Sequence, residues 1–497
     1  MLAALSLTSD LTRGHPPGEA MRACLMSTEL ARRAGLGPAD LRDVFYAALM
    51  RFAGCAATSH EAAAAFGGDD IVVRARGDLI DATRPIEALR FLAGLGHGTG
   101  KVRVVARGPQ VARIVKESAR ADCEVGAGLT RRLRLPDGVR QAVLCAFERF
   151  DGHGSPDGLA GDHIPAAARF AAVGYAAVMF DAVGGATAAV AAVTRWTGRA
   201  LDPAITAVFL DAPDELLALS RPDDLWAAVV HREPAPHRFF RDPTDLDEAL
   251  AGFGDAADLK TPFFQGHSRG VAGLVRDAAR AASLDPLLAH RAGLVHDLGR
   301  AAVPSGIWER PGPLAVEDWE LVRLHPYQSG RILARSPDLA ALSTIAGRHH
   351  ERLDGSGYPS GVHATDLDDY SRLLAVADVW HALGEDRPHR AALSRADAAR
   401  MLSDMPLDRT SVRAVLEAAD APAPTFPALP VHLTERELDV LQRLAAGRTK
   451  RQIAGELFIS HSTVHTHTVH IYAKCGVSTR AGLAMFAMRH GLAGSGR

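Results

Sequence analysis

Two adjacent imidazoles, His349 and His350, stand directly before Glu351-Arg352-Leu353-Asp354-Gly355-Ser356-Gly357-Tyr358-Pro359. Neutral imidazole is a nitrogen ligand for divalent cations, so paired histidines ahead of a Gly-rich turn point to metal chemistry. A second grouping, His296-Asp297-Leu298-Gly299-Arg300, ends the apolar run Ala292-Gly293-Leu294-Val295. There the imidazole offers a nitrogen, and the neighbouring carboxylate can bridge two cations and reduce their mutual repulsion. A single His-Asp doublet is more often an ordinary helix-end pair. This one has company in order: His267 precedes it, His325 follows in a His-Pro step, and Asp378 closes the series in Leu-Ala-Val-Ala-Asp.

Ligands so far apart in the chain meet only if several elements converge on one pocket. Ala and Leu are abundant and strand-like alternation is scarce, so those elements are expected to be helices. The order of ligands, with the Gly357-Tyr358-Pro359 signature, resembles the HD-GYP branch of the HD phosphohydrolases over about residues 263–420. The resemblance implies an all-α bundle holding two divalent metal ions, iron or manganese, that hydrolyses a cyclic dinucleotide, with cyclic di-GMP the expected substrate. Carried over by motif, the metal ligands are His267, His296, Asp297, His325, His349, His350 and Asp378, with Asp297 as the bridge. Such cations activate water at neutral pH and offset charge on phosphoryl oxygens.

Asp297 and Arg300 are the implied catalytic pair, and Arg300, Gly357, Tyr358 and Pro359 the implied substrate contacts. The glycines permit unusual backbone angles and the proline fixes the exit direction, which shapes a pocket lip. Two departures from the family stand out. Arg300 replaces the usual Lys, and the two differ in reach and donor geometry. Phe263 stands where three-metal members carry Glu, which favours two metals.

The chain also matches itself. Glu148-Arg149-Phe150-Asp151-Gly152-His153-Gly154-Ser155-Pro156 aligns with Glu351–Pro359 at an offset of 203, and the same offset pairs Ala168–Val173 with Ser371–Val376. At that offset His349, His350, Asp378 and His325 become Ala146, Phe147, Tyr175 and Asp122, while an upstream match turns His296-Asp297 into Arg51-Phe52. Of the ligands only His15 survives. The first copy is therefore expected to bind no metal and to serve as a structural or sensory half. It also carries an insertion of about 40 residues between Phe52 and Asp122. The glycine run Gly94–Gly100 within it reads as a plain flexible loop rather than an anion cradle.

After an Ala/Pro-rich linker at 421–430, stiff and extended, the composition changes. Thr434 with Glu437 forms a capping box, Thr449 opens a short helix, and Ser460 caps the next, with Val440, Leu441, Leu444, Ile453, Leu457, Val464 and Ile471 at helical spacing. Two short helices joined by a tight turn make a helix-turn-helix, and the detail over 431–492 resembles the LuxR-type DNA-binding domain. In that resemblance Ser462, Thr463, His465 and Thr466 approach base edges, Lys450 and Arg451 contact phosphate, and Lys474 and Arg480 lie near the dimer surface. The histidines His461, His465, His467 and His470 lack a carboxylate or thiol to complete a metal site.

With 497 residues and a formal net charge of −2, the chain suits several domains and gives no global sign of a polyanion partner. The expected architecture is all-α: two HD-type bundles, at 1–220 and 263–420 with a connector at 221–262, then a four-helix module at 431–497. Five dispersed cysteines suit free thiols in a reducing cytoplasm. No signal peptide is apparent, and Phe170–Val193 reads as a buried bundle helix rather than a membrane span. Two functions are carried forward. One is a homodimeric DNA-binding regulator that hydrolyses a cyclic dinucleotide; the other is a non-catalytic metal or nucleotide sensor controlling the same DNA-binding domain.

Overall fold

The computed structural model describes residues 1–95, 108–234, 242–421, 432–445 and 448–477, together with Leu483, Phe486, Ala487 and Leu492. The glycine run from Gly96 onward, most of the 421–430 linker and Arg480 lie outside them. Among the described residues there are α- and 3-10 helices and four isolated β-bridges but no strand, as the composition predicts. The helices group into two compact units.

The first unit spans Met1–Gln265 and takes in Asp297–Gln328 and Ile332–Ala340. Residues 221–262, expected as a connector, contain helices Leu225–His231 and Pro243–Asp258, the latter with Leu250 and Phe253 buried. At the centre of the unit, helices Glu19–Arg33, Pro38–Met50 and Ala166–Trp196 pack through Leu25, Met26, Leu49, Met50, Val173 and Ala177. Gly174 sets their spacing: a Cβ there would lie 2.1 Å from the Ser27 hydroxyl, so only glycine admits this approach. Ala166–Trp196 is the one described helix long and apolar enough to cross a bilayer. Unlike the continuous buried helix expected, it breaks at Gly184 and Gly185, and only its first half is densely packed inside.

The insertion forms helices Ser59–Phe66, Asp70–Gly77 and Pro85–Leu95. Its anchor is an ion pair between Asp70 and Lys260, 2.7 Å apart with both side chains fully buried. Asp70 also accepts the Ser305 N–H at 2.8 Å, and the Ser305 hydroxyl donates to the Lys260 carbonyl at 2.9 Å. Burial lowers the Lys260 pKa, opposed by the adjacent Asp70.

The second unit contains Gly266–His296, Ser329–Arg331 and Ala341–Arg497. Helix His267–Ala281 packs on Pro286–Val295 at Gly293, where a Cβ would come within 2.6 Å of the Ala272 Cα. Asp285 caps the second of these from Leu287, and Asp368 caps Asp369–Leu383 from Ser371, so each helix starts where a short acidic side chain satisfies a free N–H. At the end of this unit, helices Glu435–Ala445, Lys450–Glu456 and His461–Cys475 enclose Val440, Leu441, Leu444, Ile453, Val464 and Ile471. The three expected caps are present, with Thr434, Thr449 and Ser460 accepting from Glu437, Gln452 and Thr463.

The segments matched at an offset of 203 share their local geometry. Glu148 accepts the N–H groups of Asp157, Gly158 and Leu159, and Glu351 accepts those of Ser360 and Val362. Bridges Asp151–Ala160 and Asp354–His363 close the two turns. Gly152 and Gly355 both hold left-handed angles, with φ of 75° and 78°, and both turns have a cis peptide before Pro.

Candidate metal centre

Three of the expected ligands hold their imidazoles in one way. The Nδ1 of His296 lies 2.7 Å from the Gly293 carbonyl, that of His325 2.6 Å from Val322, and that of His349 2.6 Å from Ala346. Each carbonyl sits three residues upstream, so the helix end that carries the histidine also supplies its anchor. An Nδ1–H donated to a carbonyl puts the ring's lone pair on Nε2, the tautomer a metal ligand requires.

In the second unit the imidazoles of His267, His296 and His350 gather around Asp378. His267 Nε2 is 3.0 Å from the Asp378 carboxylate, His296 Nε2 is 3.7 Å away and His350 Nδ1 3.8 Å. The ligand atoms of His267, His296 and Asp378 all lie within 4.8 Å of one another. The His296 and His349 rings are 4.9 Å apart, and those of His349 and His350 4.3 Å. All but His350 are almost fully buried. Burial alone would raise the Asp378 pKa; hydrogen bonds from His267 and His296 and the charge of His350 instead hold it well below the usual carboxylate range. A buried cluster of imidazoles about an ionised carboxylate is the donor set expected for a divalent transition metal.

A carboxylate the sequence reading missed completes the array. Glu385 lies 3.0 Å from His267 Nδ1 and takes the place of the carbonyl that anchors the other histidines. His381, one turn before it, is also 3.0 Å from Glu385, and Arg387 is 2.6 Å away. Although burial opposes it, these partners lower the Glu385 pKa strongly. The only signal in the sequence was the helical spacing of Asp378, His381 and Glu385, although the helix itself ends at Leu383 and Glu385 stands just beyond its cap.

Of the other expected residues, Asp297, Arg300 and His325 lie in the first unit, and Gly357, Tyr358 and Pro359 in the second. Asp297 follows His296 directly in the chain, is 1% exposed, and lies 3.3 Å from His325 Nε2. Arg300, expected to reach substrate, is buried with its guanidinium 2.6 Å from Asp297 and stacked 4.0 Å above the Phe264 ring. At the Gly-rich turn Tyr358 stacks on His350, with centroids 4.7 Å apart and planes at 28°, while Gly357 and Pro359 remain half-buried beside it.

The family model of the HD domain matches residues 253–410, and that of the luxR family of bacterial regulatory proteins matches 431–487. The chain joins an HD domain to a luxR-family DNA-binding domain. The HD-domain chain is 27% identical over 410 residues to "3'3'-cGAMP-specific phosphodiesterase 3" of Vibrio cholerae, covering 79% of this chain and 87% of the relative. A shorter match, 39% identical over 142 residues, is to "Cyclic di-GMP phosphodiesterase PA4108" of Pseudomonas aeruginosa and covers 28% of this chain and 34% of that one. The fold is similar to the crystal structure of the V. cholerae cyclic GMP-AMP phosphodiesterase V-cGAP3, with a TM-score of 0.57, 24% identity, and coverage of 84% of this chain and 96% of that one.

In the luxR-family domain Ser462, Thr463, His465 and Thr466 are exposed at the start of the helix that Ser460 caps, and Arg451 is exposed on the helix before it. Lys450 Nζ lies 2.7 Å from His465 Nδ1. Lys474 is engaged within the domain, 2.7 Å from Glu437. Despite burial, that lysine helps pull Glu437 down to about 2.

Proposed function

We propose that the HD domain is a metal-dependent phosphodiesterase acting on a guanine-containing 3′,3′-cyclic dinucleotide, cyclic di-GMP or cyclic GMP-AMP. In this reading the fused luxR-family domain makes the protein a cytoplasmic, homodimeric transcription regulator. The observation that carries the enzymatic reading is the shared anchoring of His296, His325 and His349 by upstream carbonyls, which puts the lone pair of each ring on Nε2, as ligation needs. His267, His296, Asp297, His325, His349, His350 and Asp378 would hold two divalent cations, iron or manganese, whose chemistry is to lower the pKa of water and polarise a phosphodiester. Glu385 fixes the His267 ring, and Asp378 supplies negative charge to the array. Tyr358, stacked on His350 beside the turn, is placed to pack against a base, and Arg300 to answer phosphate charge on leaving Asp297.

Names of the relatives support the substrate class, and the five free thiols support a reducing compartment. The Asp297–Arg300 ion pair favours a second reading, in which the domain binds nucleotide or metal without turnover. Full-length protein loaded anaerobically with iron or manganese and given each dinucleotide separates the two. Linear dinucleotide or mononucleotide products are expected; metal uptake with intact substrate would leave only the sensor. On the DNA side, Arg451→Ala should weaken binding across sequences and lower the salt slope by about one.

A further inference from the structure

A cavity of about 210 Å³ lies in the first unit, among the residues that the 203-residue offset pairs with the metal ligands. Its walls include Arg51, Phe52, Phe147, Tyr175 and Trp196. Most cations near it are already neutralised. Arg13 pairs with Asp78, His15 lies 2.8 Å from Glu19 and 3.0 Å from Asp78, and Arg149 lies 3.1 Å from Asp81 and 2.9 Å from Asp151.

Arg51 differs from these. Among the described residues no carboxylate lies within ion-pair distance of it, and its single hydrogen bond is a long one, 3.5 Å to the Ala168 carbonyl. Its Nε has no acceptor, and neither does the indole Nε1 of Trp196, a side chain only 8% exposed. Burial pulls the Arg51 pKa down to about 10. Two buried donors without acceptors at one cavity are costly and ask for an explanation. The rings of Phe52, Phe147 and Tyr175 supply the apolar and aromatic remainder of the wall.

We propose that this cavity is a binding site for a small aromatic carboxylate, whose oxygens accept from Arg51 and Trp196 and whose ring rests on the Phe52, Phe147 and Tyr175 side. The volume limits the ligand. Drug-sized ligands occupy pockets of roughly 300–1,000 Å³, so this cavity suits a single ring and excludes a cyclic dinucleotide. Charge selects an acid, because Arg51, which meets only the Ala168 carbonyl and the Phe52 and Tyr175 ring faces, gains an anionic partner in a low-dielectric setting. The site is separate from the Asp378 array and does not depend on the phosphodiesterase reading.

Ligand-observed saturation-transfer NMR on the full chain, with benzoate, benzamide and inorganic phosphate as probes, tests it. Benzoate is expected to bind at least tenfold more tightly than benzamide or phosphate. Arg51→Gln should abolish that preference, Arg51→Lys should retain part of it, and His349→Ala should leave it unchanged. Because Arg51→Gln removes a buried charge that no carboxylate meets, its melting temperature without ligand should equal or exceed that of the parent. Equal binding of benzoate and benzamide, or a preference that survives Arg51→Gln, would overturn the proposal. Phosphate binding as tightly as benzoate would overturn its aromatic part, and a lowered melting temperature with unchanged benzoate binding would make Arg51 a structural residue.

Discussion

His267 and His15 occupy matching Gly-His steps, and each has carboxylates at both ring nitrogens, yet their surroundings differ. Around His267 the Asp378 carboxylate is shared with His296 and His350, so nitrogen donors and negative charge meet at one buried point. Around His15 the partners are Glu19 and Asp78, with Arg13 bound to the same Asp78 and lying 3.9 Å above the Phe52 ring. Burial disfavours the His15 charge, but these carboxylates raise its pKa to about 9, so the ring is an imidazolium with no lone pair to give. Asp122, the counterpart of His325, is likewise engaged by Thr58 and by Arg74 from the insertion. Where the second unit gathers imidazoles, the first unit holds internal ion pairs, several with one partner from the insertion: Asp78, Asp81 or Arg74.

The comparison can be broken most severely at its metal side. Asp378→Ala should remove bound metal and hydrolysis together, whereas His15→Gln should leave metal content unchanged by elemental analysis. Equal metal loss in both variants would erase the proposed difference between the regions. Lys260→Met probes the insertion's anchor: stranding Asp70 in the core should cost about 3–5 kcal/mol, seen as a lowered unfolding midpoint, because the partner charge stays buried. Replacing both residues by apolar ones should recover most of that loss.

Glu385→Ala sharpens the contrast within the metal array. With the His267 ring no longer anchored, metal affinity should fall about 10–100-fold while the fold persists, measured by competition with a chelator. The smallest effect concerns the His15 charge. Its folded pKa is raised, so its contribution is fully present below about 6.5 and fades as pH rises through about 9. His15→Gln should therefore destabilise the protein by about 3 kcal/mol at pH 6 and by much less at pH 10, read from unfolding midpoints at both pH values.

Much of this was legible in the residue order. The candidate histidines and carboxylates, the Gly355 turn and the caps at Thr434, Thr449 and Ser460 are local or motif-borne, and in the structure His267, His296, His349, His350 and Asp378 lie near one another. Glu385 was not legible as the His267 anchor, because its role depends on a contact across 118 positions of chain. Nor was the pairing of Arg300 with Asp297 foreseen, since a motif names a residue type and leaves its rotamer open.

By itself the sequence determined which side chains were available for chemistry, the helical class and the start of each described helix in the DNA-binding domain, because these follow from side-chain type and short-range spacing. Tertiary structure decided how that chemistry is held. It set which nitrogen of His296, His325 and His349 is anchored to a carbonyl, which carboxylate each cation meets, and where the first unit is filled by internal salt bridges. Those outcomes depend on distances and burial between residues remote in sequence, and burial sets the strength of every charge involved.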